Sequence, residues 1–262
     1  MSATRPLTLP AWCAAQTLVI VFPLLGRGFA LSYDMVFAQH QYLVPDAIGT
    51  GSTLARSVPA DAIVALATTV LPGDLLEQLI LTSALFAAAF GAGLLVPTRS
   101  TTTRLVAASG YLWTAYVAER LLIGQWPLLV AYACLPWIGR AAIHQRGRGW
   151  TARLLVACAP AAITPPGGLL AAGVAVLVAG RRGLPLTIPL SIVVNLPWLV
   201  PSLLHPGGTL TSAAGVAAFS ARPENWGGTA VSVLGTGGIW NSQVTPASRS
   251  GALIPILTVA VV

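Results

Sequence analysis

Long apolar runs, each close to the length of a bilayer crossing and set apart by short polar segments, constrain this chain more than anything else in it. A helix needs about 20 mostly apolar residues to cross the hydrocarbon of a membrane. Runs of that kind cover 11–31, 75–97, 105–122, 127–143 and 184–204, and another starts near 252. The stretch 154–180 is interrupted by Thr164-Pro165-Pro166-Gly167-Gly168. With Arg153 before it and Arg181 after it, the preference for arginine on the cytoplasmic side predicts a broken hairpin that returns to the face it left. Ala62 to Leu71, between Asp61 and Asp74, is too short to cross and reads as an interfacial or re-entrant helix. The expected fold is therefore all-α: a polytopic transmembrane helix bundle forming a single domain over 1–262, with outer loops 32–74 and 205–250. The last apolar run has barely begun at Val262, which suggests that the chain is a fragment or lacks a natural continuation or partner.

Composition agrees. Of 262 residues, 55% are hydrophobic and 8% charged, where a soluble domain carries about 25% charged residues to face water. The net charge of +7 does not point to nucleic acid. The 14 basic residues are all arginine and sit in short loops, not in the contiguous basic stripe that nucleic-acid binding requires. Their distribution predicts sidedness instead. With the N-terminus in the cytoplasm, Arg5, Arg99, Arg104, Arg140, Arg146, Arg148, Arg153, Arg181 and Arg182 fall inside. All seven acids, Asp34, Asp46, Asp61, Asp74, Glu77, Glu119 and Glu224, fall outside. The implied location is a plasma membrane, multi-pass.

Within the spans, Ala87-x-x-x-Gly91 and Ala89-x-x-x-Gly93 put small residues on one face for close helix approach. Pro185, Pro189, Pro197 and Pro201 predict kinks in the 184–204 span. Cys13, Cys134 and Cys158 fall in apolar segments and read as packing residues.

Several chemistries are excluded. A phosphate-binding P-loop needs a lysine, and the chain has none. His40, His144 and His205 lie in separate loops and form no zinc site. There is no Gly-x-Ser-x-Gly nucleophile elbow, and no cofactor or metal is implied.

The candidates that remain are on the outer side. Asp34 follows the first span directly and can act as a general base on a hydroxyl; the plainer reading is a solvated loop aspartate. Glu119 and Arg120, near the end of the 105–122 span, suit either ligand binding or snorkelling into headgroups. Arg27, Arg56 and Arg120 are available to pair with a phosphate. In the late loop, Glu224, Trp226, Trp240 and Asn241 can contact a sugar, although tryptophans at an interface also serve as membrane anchors.

Three segments carry a resemblance to a family. They are the aspartate after the first span, the stretch Glu119-Arg120-Leu121-Leu122-Ile123-Gly124-Gln125-Trp126 leading into Tyr132-Ala133-Cys134-Leu135-Pro136-Trp137, and Gly237-Gly238-Ile239-Trp240-Asn241. Together the chain resembles the N-terminal portion of actinobacterial polytopic glycosyltransferases of the GT-C superfamily, in the arabinofuranosyltransferase and mannosyltransferase group. The resemblance implies a polyprenyl-phosphate sugar as donor, a cell-envelope glycan as acceptor, and an acid in the first outer loop as base. By position that acid is Asp34, with Gln125 beside it among the substrate-binding residues. Two other readings fit the same spans. A transporter or lipid flippase would use the Thr164–Gly168 break as a discontinuous helix, and a non-catalytic subunit would pack its small-residue faces against a larger assembly.

Overall fold

The computed structural model describes residues 7–52, 54–145, 149–205, 212–251 and 253–261. Arg5, Arg146 and Arg148 of the expected cytoplasmic set lie outside these. The described chain is mostly helical, and its one β feature is an isolated antiparallel bridge between Ser32 and Met35. Among the described residues, three helices are long and apolar enough to span a membrane: α3 (Gly73–Leu95), α6 (Trp126–Ile143) and α8 (Pro165–Leu204). Around them lie α1 (Thr8–Val21), α2 (Ala60–Ala67), α4 (Thr101–Leu112), α5 (Ala115–Ile123), α7 (Trp150–Cys158), α9 (Ala213–Ala218), α10 (Gly228–Leu234) and α11 (Leu253–Val261).

Helix α3 packs against α1, α4 and α6, and its small residues explain how. Trp137 of α6 donates its indole N–H to Ala87 O at 3.0 Å. A Cβ added to Gly91 would lie 2.6 Å from that indole nitrogen. A Cβ on Gly93 would lie 2.8 Å from Leu9 of α1 and 3.1 Å from Arg104 O of α4. The small residues therefore serve two faces, Gly91 toward α6 and Gly93 toward α1 and α4, and not the single face expected. Two residues advance an α-helix by about 200°, which sends neighbouring small positions to opposite partners.

Several stretches are divided differently from their apolar runs. The first helix stops at Val21 and a 3₁₀ turn covers Phe22–Leu24, so residues 25–31, including Arg27, lie beyond it. Pro23 has no N–H to continue the ladder. The run 105–122 is two helices, α4 and α5, separated at Trp113 and Thr114. Thr114 turns extended and accepts a hydrogen bond from Val117 N at its side chain, making a new N-cap. Helix α4 is pinned to α6 by a reciprocal pair: Tyr111 Oη donates to Tyr132 O at 2.9 Å, and Tyr132 Oη to Tyr111 O at 2.8 Å. Their rings stack 4.1 Å apart.

Helix α8 bends at Gly180, whose φ of 60° and ψ of −175° are glycine territory. The four prolines stay within helical backbone, so the bend expected from them falls at Gly180 instead. The arms, 165–179 and 181–204, fold back on each other. Asn195 of the second arm donates to Ser191 O at 2.7 Å and accepts from Trp198 Nε1 at 2.7 Å, while a Cβ on Gly168 of the first arm would strike its carbonyl oxygen. Arg181 and Arg182 thus sit at the hairpin's tip.

The bundle has two chemically different ends. Arg140 donates to Leu94 O at 2.9 Å and Gln145 to Ala179 O, which gathers the last turns of α3 and α6 with the Gly180 bend. At the opposite end are the start of α3, the α5–α6 turn and the long loops, with all the acids.

Candidate functional site

The local site is built on one glycine. Helix α5 ends in a Schellman motif: Gln125 N donates to Arg120 O at 2.9 Å and Gly124 N to Leu121 O at 3.1 Å, with Gly124 at φ 81°. The first outer loop folds directly onto this turn. Ser32 Oγ donates to Leu122 O at 2.6 Å and Asp34 N to Ile123 O at 2.9 Å. A Cβ on Gly124 would lie 2.3 Å from both Ser32 O and Met35 N, so only glycine admits this approach. The Ser32–Met35 turn has its own strain point at Tyr33, a non-glycine residue with φ 40°. Tyr33 Oη is held by Gln243 Oε1 of the late loop at 2.6 Å.

This scaffold fixes Asp34. Its Oδ2 accepts from Gln125 Nε2 at 2.9 Å, and Gln125 Oε1 accepts from Arg120 Nη1. Arginine can only donate, so the amide of Gln125 must turn its N–H toward the carboxylate. Arg120 lies 5.2 Å from the centre of the Tyr116 ring and stands behind Gln125. It orients the amide.

Asp34, Arg56, Asp61 and Gln125 line one cavity of about 350 Å³, together with Trp126 and Thr164. Asp61, at the start of α2, is the residue the sequence reading missed. Burial pushes its carboxyl above the ordinary value. Twenty-seven positions separate it from Asp34, and no local motif links them. The only signal was that Asp61 breaks the apolar pattern just where a short helix begins. Beside this cavity, an apolar groove of about 480 Å³ runs between α2, α3 and α6, and the two share Val64 and Trp126 as a common wall.

The other predicted residues are placed elsewhere. Arg27 is exposed and does not line the cavity. Glu119 and Glu224 form a buried cluster with Arg249 of the late loop. Glu224 Oε2 accepts from Arg249 Nε at 3.0 Å, both side chains being almost fully buried. Glu224 Oε1 accepts from Gly238 N and, at 3.2 Å, from Ile239 N. The Glu119 carboxyl is buried against that of Glu224, and two carboxyls in contact share a proton. Burial pushes Glu224 up, but the Glu119 carboxyl, the Gly238 amide and the Arg249 guanidinium together hold it below its ordinary value. This cluster fastens the late loop to α5. Ile123, Ile239 and Val244 pack beside it. Trp226 is exposed, Trp240 packs edge-on against Phe219 at 4.8 Å, and Asn241 Oδ1 caps the turn at Gln243 N.

Comparison with known protein families, with curated proteins and with solved structures returned no match.

Proposed function

We propose that this chain is a GT-C-like membrane glycosyltransferase, or a portion of one, multi-pass in the plasma membrane with its N-terminus cytoplasmic. It transfers a sugar from a polyprenyl-phosphate donor to a cell-envelope glycan at the outer face. The observation that carries this reading is the pairing of cavities. A donor of this class has a charged phosphosugar and a long apolar tail, and here a cavity bearing the charged residues Asp34, Arg56 and Asp61 shares a wall with an apolar groove.

The chemistry follows from the residues. Asp34, with one oxygen held by Gln125, takes the proton of an acceptor hydroxyl. That oxygen attacks the anomeric carbon as its bond to the phosphate oxygen breaks, and the lipid phosphate leaves. Arg56 compensates the phosphate's charge with charge-assisted hydrogen bonds. Asp61, whose carboxyl burial raises above its ordinary value, lines the same cavity and can accept a hydrogen bond from a sugar hydroxyl. Gln125 and Arg120 are positioning residues, since they act through Asp34.

The test uses membranes containing the full-length protein, supplied with radiolabelled polyprenyl-phosphate sugar and a glycan acceptor. Asp34→Asn preserves shape and the Gln125 contact but cannot take a proton. It is expected to lower transfer by at least about 100-fold, the lower range of general-base contributions, with donor binding retained. Normal transfer by this variant would remove Asp34 from the catalytic role.

A further inference from the structure

Glu224 and Arg249 both belong to the late loop, so their ion pair closes that loop on itself. Ser232 joins it there: its hydroxyl accepts from Glu224 N at 2.9 Å and its carbonyl from Arg249 Nη2 at 3.4 Å. The contacts that cross to α5 are of another kind. Ile123 packs against Ile239 and Val244, and beside them Glu119, 2% exposed, meets Glu224 carboxyl to carboxyl. A Cβ on Gly237 would lie 2.6 Å from Glu224 Oε1 and 2.8 Å from Glu119 Oε1, so the two carboxyls meet over backbone that only glycine leaves open. Two carboxylates can only accept hydrogen bonds, and the contact therefore contains a proton. The surrounding donors show where it sits. Glu224 already accepts from Arg249 Nε, Gly238 N and Ile239 N, the setting of an ionised group. Glu119 Oε1 is buried and receives no hydrogen bond among the described residues, the setting of a neutral one.

We propose that the late loop is latched to α5 by one proton, carried on Glu119 and shared with Glu224, so that the latch loosens as pH rises. The charged and titratable groups facing Glu119 are Glu224 and Arg249 of the loop and Arg120 of its own helix. Arg249 engages Glu224 and Arg120 donates to Gln125, so neither takes the proton's place between the carboxyls. With the loop off the bundle, Glu119 reaches water and ionises like any glutamate at neutral pH. Docking then takes up one proton, and the docking constant falls about tenfold for each unit of pH while the docked form keeps it. The same loop holds Tyr33 through Gln243, so a loosened latch also relaxes the turn that carries Asp34. The latch works in the same way whatever reaction that turn supports.

The test is hydrogen exchange of the full chain in nanodiscs at pH 6, 7, 8 and 9, each rate divided by that of the unstructured peptide at the same pH. Protection at Ser232–Ile239 should fall with rising pH, approaching about tenfold per unit, while α3 and α6 keep theirs. Glu119→Gln can still donate to Glu224 but has no proton to lose at these pH values. Its loop should keep constant protection, at or above that of the wild type at pH 9. Tyr33→Phe cuts the other tie and should lower protection by one factor at every pH, leaving the slope intact. A melting curve for each variant confirms that the bundle is folded. The proposal fails if wild-type protection is level from pH 6 to 9, a result that needs no variant. It fails equally if folded Glu119→Gln follows the wild-type slope, or if Tyr33→Phe abolishes it.

Discussion

A single backbone atom count makes Gly124 the most sensitive residue of the site. It sits at φ 81°, where a Cβ costs about 1–2 kcal/mol, and its missing side chain is also the space that Ser32 O and Met35 N occupy. Gly124→Ala must pay both. The helix end would tolerate the backbone strain, but the loop carrying Asp34 has to move away, breaking the Asp34–Ile123 and Ser32–Leu122 bonds. The expected outcome is a melting temperature lowered by the strain and the two lost hydrogen bonds together, and a first outer loop that becomes cleavable by added protease in intact, folded protein. An unchanged proteolysis pattern would show that the loop is held by something other than this turn. Gly110, by contrast, lies within α4 with open space around its Cβ position, so Gly110→Ala is the matched control: it should leave the proteolysis pattern unchanged and raise the melting temperature slightly, as alanine is the better helix former.

At the scale of elements, the buried cluster of Glu224, Arg249 and Glu119 decides whether the late loop stays on the bundle. Glu224 has its carboxyl held below its ordinary value, 4.5. A group of that kind contributes stability that is present above its unfolded pKa and is lost as pH falls through its folded one. Glu224's contribution should therefore hold the loop docked at neutral pH and fade as pH falls below about 4.5, read as rising hydrogen exchange at Ser232–Ile239 before α3 or α6 opens. Arg249→Met leaves two buried carboxyls without their cation, a change of the kind that costs about 3–5 kcal/mol, and should release the loop already at pH 7. Simultaneous opening of the whole bundle on acidification would contradict this local role. The same cluster marks the limit of what was legible beforehand. Apolar length announced α3 and α6, and the Gly124-Gln125-Trp126 turn announced the junction of α5 and α6. Trp113 and Gly180 did not announce breaks, because tryptophan is no helix breaker and a lone glycine is tolerated within one. Nor could Glu119 be joined in advance to Glu224 and Arg249, since that contact comes from packing across more than a hundred positions, while Glu224 and Arg249 meet across 25. Asp34 and Gln125 stood out by type and place, whereas Asp61 becomes visible only when α2 folds over the same cavity.

For the molecule as a whole, the separation of charge is the strongest constraint on how it lies in a membrane. Arg140, Arg181 and Arg182 converge on one end through the Leu94 and Ala179 contacts, while Asp34, Asp61, Glu77 and Glu224 converge on the other. Arginine in short loops is retained on the cytoplasmic side, and acids contribute little to that choice. The arginine end is therefore expected to be cytoplasmic, and the acidic end free to meet donor and acceptor outside. Cysteine labelling tests this directly. Tyr42 is exposed beside the acidic cavity and Arg99 is exposed between α3 and α4. The native cysteines at 13 and 158 are buried, and Cys134 can be replaced by serine. In intact cells a membrane-impermeant maleimide should label Tyr42→Cys and spare Arg99→Cys, with the second reacting once the membrane is permeabilised. Equal labelling of both would contradict two faces altogether. Reversed labelling would put Asp34 in the cytoplasm, where a glycan of the cell envelope cannot reach it, and would end the glycosyltransferase reading while leaving the fold intact.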